Sequence, residues 1–208
     1  MVQSEATAVL LLISAPSGAG KTTVSQRLLA VTSGLERVVT CTTRPPRGGE
    51  KDGIDYHFLD RATFEGRVAV GEFLEHAEVY GNRYGTLKSA VMDRLGAGVD
   101  VLLSVDVQGA EAIRSVASTD EALRRALVSV FIMPPSLAEL ERRLRGRNED
   151  SAAVVARRLD VAREEIGHWR HFQYVVVSGT MDEDLGAMRG VLSTERRRTE
   201  RIRTLTLA

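Results

Sequence analysis

Apolar residues fall along the chain in short continuous runs, separated by longer stretches in which they recur at helical spacing. Runs at Val9 to Ser14, Val99 to Val107, Leu127 to Met133 and Tyr174 to Val177 have strand length and little alternation. Strands without a polar face suit a parallel sheet covered on both sides. Between them the spacing changes to three and four: Val24, Leu28 and Val31 form one stripe, and Leu137, Leu140 and Leu144 another, as amphipathic helices require. Ser136 and Glu139 predict a capping box at the start of the second of these helices. Pro134-Pro135 stops the strand before it, because neither residue can donate to a ladder. The pattern predicts an α/β fold built on a parallel sheet.

Two segments interrupt the alternation. Residues 40–90 concentrate Gly, Pro, Arg and Tyr around short runs such as "YHFL" and read as an inserted lobe with its own sheet. Residues 143–158, "RLRGRNEDSAAVVARR", are polar and Arg-rich, break at Gly146 and predict a helix start at Ser151; they read as a mobile basic flap. Leu185, Met188 and Leu192 then mark a helix, and "ERRRTERIR" from Glu195 to Arg203 reads as its solvated end rather than a nucleic-acid tail.

Composition narrows the setting. A chain of 208 residues suits one domain with inserted lobes. Twenty-eight basic residues balance 28 acidic ones, so nothing in the net charge calls for a nucleic-acid or membrane partner. Cys41 is the only cysteine, which excludes an internal disulfide and favours a reducing cytoplasm; it reads as a small buried residue. The run from Ala8 to Ile13 is too short to span a bilayer and lacks the basic flank of a secretory leader. His57, His76, His168 and His171 show no metal-binding spacing.

The chemistry begins at residues 13–23, "ISAPSGAGKTT". Gly20-Lys21-Thr22 closes a phosphate-loop pattern in the required strand-to-helix context, with Ala15 where the pattern has its first glycine. Alanine suffices there if its φ is negative. Gly18 and Gly20 can turn backbone N–H groups inward, and the following helix adds its positive dipole end. The expected phosphate cradle is Ala15, Pro16, Ser17, Gly18, Ala19, Gly20, Lys21, Thr22 and Thr23, with Lys21 reaching the β- and γ-phosphates and Thr22 facing Mg²⁺ directly or through water. ATPases, GTPases and small-molecule kinases share such a loop, so the acceptor site has to decide. Arg44 and Arg47, three residues apart and followed by Tyr56, can grip one phosphate. Further on, Glu75, Tyr84 and Thr86 stand together in "FLEHAEVYGNRYGT". A buried carboxylate accepts from both N1–H and N2–H₂ of guanine, a donor pair that adenine lacks.

With these motifs the chain resembles the guanylate kinases from about Val9 to Leu192. The resemblance rests on "SAPSGAGKTT", "TTRPPRGGE", "GIDYHF", "LEHAEVYGNRYGT", "DVQG" and "RRLRGRNEDSAAVVARRL". It implies a P-loop NTPase-type three-layer core with a parallel sheet, an inserted mixed-sheet lobe for the nucleoside monophosphate and a helical lid. The implied division is core at about 6–38, 91–135 and 160–208, lobe at about 39–90 and lid at about 136–159. It implies transfer of phosphate from ATP to GMP, with Mg²⁺, in a cytoplasmic enzyme that is a monomer or homo-oligomer. Arg44, Arg47, Tyr56 and Tyr84 would hold the GMP phosphate, and Glu75, Thr86 and Asp106 would read guanine with help from Thr40. Lys21, Arg143, Arg147 and Arg158 would surround the transferring group. Two alternatives are an inert guanylate-kinase-like protein-binding module, which usually has a damaged phosphate loop, and a P-loop kinase for adenylate or a small metabolite. The chain departs from the family at Ser104, where an "LDID" run has its first aspartate, and at Ser178-Gly179, where "VVND" is usual. Weaker ATP binding or Mg²⁺ handling, without loss of activity, is the expected consequence.

Overall fold

The computed structural model describes residues 2–79, 81–146 and 152–207. Its strands are β1 (Val2–Ala6), β2 (Leu10–Ser14), β3 (Leu35–Arg37), β4 (Cys41–Thr42), β5 (His57–Phe58), β6 (Phe73–Val79), β7 (Asn82–Leu87), β8 (Asp100–Ser104), β9 (Leu127–Met133), β10 (Tyr174–Val177) and β11 (Ile202–Leu207). The α-helices are α1 (Lys21–Val31), α2 (Arg61–Ala69), α3 (Lys88–Gly96), α4 (Val107–Thr119), α5 (Glu121–Ala126), α6 (Leu137–Arg145), α7 (Ala152–Gly167) and α8 (Met181–Glu195).

The central sheet has five parallel strands in the order β10-β9-β2-β8-β3. In its middle strand every residue from Leu10 to Ser14 is buried, and the pleat sends alternate side chains to two cores. Val9, Leu11 and Ile13 pack with Val24 and Leu28 of α1, Leu140 and Leu144 of α6, Leu159 of α7 and Met188 of α8. Leu10 and Leu12 face the other way, toward Leu103, Ile113, Leu123 and Phe131. Each such side chain contributes about 1.5–3 kcal/mol by leaving water. The result is the expected α/β architecture with helices on both sides of a parallel sheet. The predicted stripes hold in part: Val31 and Leu137 are exposed while their partners are buried. The capping box at α6 is half formed. The Ser136 hydroxyl accepts from the Glu139 N–H, but the Glu139 carboxylate is taken by Arg142 and Arg143 instead of returning to the cap.

A second, four-stranded sheet in the order β5-β4-β7-β6 mixes parallel and antiparallel pairs. It forms the sheet-bearing lobe expected within 40–90. Helix α2 closes its small core, with Phe64 stacked on Phe73 at 4.4 Å between ring centroids and Cys41 buried beside them. The close approach depends on Gly85, where an added Cβ would lie 2.7 Å from the Phe73 ring.

The basic tail differs from the solvated helix end that its composition suggests. Helix α8 stops at Glu195, a short 3₁₀ turn follows, and β11 pairs antiparallel with β1. Arg201 is buried because its charge is answered: the guanidinium donates to the buried Glu195 carboxylate and to the carbonyls of Arg125 and Ala126. Burial alone would push the Glu195 carboxyl up, but the Tyr174 hydroxyl and Arg201 together hold it below its ordinary value. Composition marks such a stretch as polar; only tertiary pairing makes it part of the interior.

Candidate active site

The loop between β2 and α1 lies at the carboxyl ends of the central strands, where open α/β sheets place their ligands. Gly18 and Gly20 both adopt left-handed backbone, at φ 90° and 94°. Gly18 is needed twice over, since a Cβ there would also come within 2.9 Å of Leu144 on α6. The loop is therefore seated directly on the helix that begins the basic segment. Ala15 is buried and packs in the main core, so its methyl group is accommodated where the usual pattern has glycine. Gly20 caps α1 with no side-chain oxygen, leaving the first-turn N–H groups for a ligand.

A cavity of about 270 Å³ opens above this turn, lined among others by Ser17, Gly18, Lys21, Thr22, Asp106 and Glu165. The Lys21 ammonium donates to the Val105 carbonyl at 2.7 Å. Burial pushes its pKa down, while Asp106, Glu165 and Glu75 favour the charged form. The Thr22 hydroxyl belongs to an exposed residue at the cavity rim. Glu165, on α7, accepts the Ser17 N–H at 3.2 Å.

Asp106 links this cavity to a second cluster. It caps α4, accepting the Gly109 N–H at 2.7 Å. Glu75 of β6 is buried, and its Oε1 accepts the hydroxyl of fully buried Thr86 at 2.6 Å. A Cβ added to Gly109 would stand 3.3 Å from Glu75 Oε2 and 3.4 Å from Asp106 Oδ1. Glycine there lets the two carboxylates approach one point on α4. Burial pushes the Glu75 carboxyl up, and neighbouring Asp106 adds to the rise against the Thr86 hydroxyl.

Arg44 is buried and forks onto Glu50, with both N···O distances 2.6 Å. This pairing, with the Arg47 N–H also donating to Glu50, lowers the Glu50 carboxyl to about 2 and raises the Arg44 guanidinium. The Arg44 guanidinium lies 4.9 Å from the Tyr56 ring centroid, and Tyr56 meets Tyr84 edge-on at 6.1 Å. Arg47 is exposed beside them, and Thr40 is half-buried with its carbonyl accepting from His57.

Arg143 donates to Glu139 at 2.8 Å and to the Ser178 hydroxyl at 3.2 Å. It lines a cavity of about 260 Å³ that also includes Gly18, Gly20 and Thr23, on the flank of the loop. Ser178 donates to buried Asp184, which also accepts the Gly179 N–H. The Ser-Gly departure from the family pattern is thus built into a closed network with Arg143. Ser104 is exposed at the end of β8. Arg158 is half-buried on α7. Arg147 and the predicted helix start at Ser151 lie outside the described residues. Four contributors went unassigned in the sequence: Glu50, Gly109, Glu165 and the Val105 carbonyl. Gly109 closes the "DVQG" motif and had a signal; the two glutamates sit among charged neighbours and had none.

The guanylate kinase family model matches residues 7–195, a span that contains every one of these side chains. The chain belongs to the guanylate kinase family. A guanylate kinase of Rhodospirillum rubrum is 46% identical over 195 residues, covering 93% of this chain and 87% of the relative. One of Novosphingobium aromaticivorans is 47% identical over 193 residues, covering 93% and 85%. The crystal structure of guanylate kinase from Anaplasma phagocytophilum superposes with a TM-score of 0.75 at 35% identity, covering 96% of this chain and 92% of that one. Guanylate kinase architecture accordingly extends across the five-stranded and four-stranded sheets and the helices between them.

Proposed function

We propose that this guanylate kinase family member transfers the γ-phosphoryl group of ATP to GMP, and to dGMP, giving ADP and the nucleoside diphosphate by direct in-line displacement. The observation that carries this reading is the double position of Asp106. It lines the phosphate-loop cavity and shares the start of α4 with Glu75, so a nucleotide read by these carboxylates would sit next to a second one held by the loop. Glu75, Thr86 and Asp106 read guanine, with Thr40 alongside. Arg44, Arg47, Tyr56 and Tyr84 hold the acceptor phosphate, which replaces Glu50 on the Arg44 fork. Ala15 through Thr23 cradle the donor phosphates, and Lys21 turns from the Val105 carbonyl onto the β- and γ-oxygens.

A phosphate oxygen of GMP is already nucleophilic at neutral pH, so no general base is needed. Catalysis consists of bringing two anions together and stabilising charge on the group in flight. Arg143, Arg147 and Arg158 supply that positive charge, and their approach excludes water. Mg²⁺ suits the donor set: Thr22 offers one exposed hydroxyl at the cradle, and Mg²⁺ commonly binds through few protein oxygens plus substrate phosphates and water. When bound it neutralises charge on the β- and γ-phosphates. Lobe boundaries at about 39–90 and 136–159, flanked by core at about 6–38, 91–135 and 160–208, follow from the same reading. No α-helix among the described residues is long and apolar enough to cross a membrane; with a single buried thiol, a cytoplasmic site of action is inferred. The intact Lys21-Thr22 pair in a formed cavity favours catalysis over an inert binding module.

Incubation with γ-labelled ATP and GMP tests the route. Label is expected in GDP alone; label retained on the protein, or released as inorganic phosphate without GDP, would contradict direct transfer.

A further inference from the structure

The Glu165 carboxylate stands where an anionic ligand is expected. A backbone N–H turned into a phosphate loop is a donor for phosphate oxygen, and here the Ser17 N–H is given to Glu165 Oε2 at 3.2 Å. The carboxylate shares that cavity with Lys21, whose ammonium is bonded to the Val105 carbonyl. The groups acting on Glu165 include the Ser17 N–H and Lys21 from the loop and α1, Asp106 at the cap of α4, and His168 just beyond α7, and Arg114 of α4 lines a neighbouring cavity with it. Burial and Asp106 push the Glu165 carboxyl up, while Ser17, Lys21 and His168 favour its charged form. A charged group held by one long backbone bond, at some cost in burial, is easily displaced.

Helix geometry adds a consequence. Arg158 precedes Glu165 by seven residues on α7, about two turns, so both project from nearly the same face roughly 10 Å apart along the axis. A phosphate entering the cradle repels the carboxylate at one end of this face and attracts the guanidinium at the other.

We propose that Glu165 is a positioning residue that fills the phosphate cradle of the nucleotide-free enzyme as an internal anion. Donor phosphates expel it, so that ATP binding must first free the Ser17 N–H from the Glu165 carboxylate. The inference rests on the reading of Ala15–Thr23 as the ATP phosphate loop. It assigns Glu165 to the donor half of the cleft, and its removal should act on ATP rather than on GMP.

The test is equilibrium titration of the full chain with Mg·ATP, without acceptor, for the wild type, Glu165→Gln, Glu165→Ala and Lys21→Ala. Steady-state KM values for both substrates accompany it. Both Glu165 variants are expected to bind ATP about tenfold more tightly, the scale of one charge-assisted hydrogen bond no longer displaced. KM for ATP should fall with it, while KM for GMP stays within about twofold. A residue that merely braces α7 would instead change the melting temperature and move both KM values together. ATP affinity equal to or weaker than wild type in both Glu165 variants, with binding lost in Lys21→Ala, overturns the role of Glu165 alone. Wild-type ATP affinity in Lys21→Ala overturns the phosphate-loop reading beneath it.

Discussion

Replacement of Lys21 by alanine is expected to lower kcat/KM by about 10²–10³-fold, the cost of deleting one preorganised donor to developing charge. The same change should leave the melting temperature unchanged or slightly raised. The ammonium donates to the Val105 carbonyl, and burial disfavours its charge. A desolvated cation with partial compensation contributes little to folding, so its removal relieves as much as it costs. Steady-state kinetics and thermal melting on the same preparation check both halves. A large loss of activity accompanied by a large loss of stability would show that Lys21 serves mainly as a structural tie between α1 and the end of β8.

The second large effect is expected at Glu75. Glu75→Gln keeps the size of the side chain but exchanges one acceptor for an amide donor, which faces the N1–H and N2–H₂ donors of guanine. One contact turned donor against donor and one stripped of its charge predict a fall of about 10²–10³-fold in kcat/KM for GMP, expressed mostly in KM. Discrimination against AMP should shrink by a similar factor, because a site built to hydrogen-bond a group rejects analogues through its own unpaired atoms. Thr86 binds the other side of the same carboxylate at 2.6 Å, so Thr86→Val should weaken GMP in the same direction but less. Kinetics with GMP and AMP on the purified variants measure this directly. Unchanged discrimination in Glu75→Gln would remove Glu75 from base recognition.

Much of this site can be read in the sequence because its physics is local. A phosphate cradle needs glycines with left-handed backbone between a strand and a helix, and "SGAGKT" specifies that within a few residues. Glu75 and Thr86 are likewise neighbours across one hairpin, where register alone brings them together. Contacts made by distant segments were not legible. Glu165 lies in "REEIGH" and reads as one more charge on a helix; only packing of α7 against the loop turns it into the cradle. Glu50 became the partner of Arg44 through the fold of a turn that composition marks only as Gly-rich. The edge strand β3 was missed because only Leu35 of its three residues is buried, leaving no apolar run to find. Arg201 shows the same limit from the opposite side, as a basic tail residue drawn into the interior by Glu195.

The central claim is that one cleft joins a donor cradle to a guanine reader. The most direct measurement is a coupled assay of ADP formation by the purified wild-type protein with Mg·ATP, comparing GMP, dGMP, AMP and CMP as acceptors. Rapid ADP formation with GMP, turnover with dGMP, and background rates with AMP and CMP are predicted. Preference for AMP or CMP, or no turnover with any acceptor while GMP still binds, would contradict it.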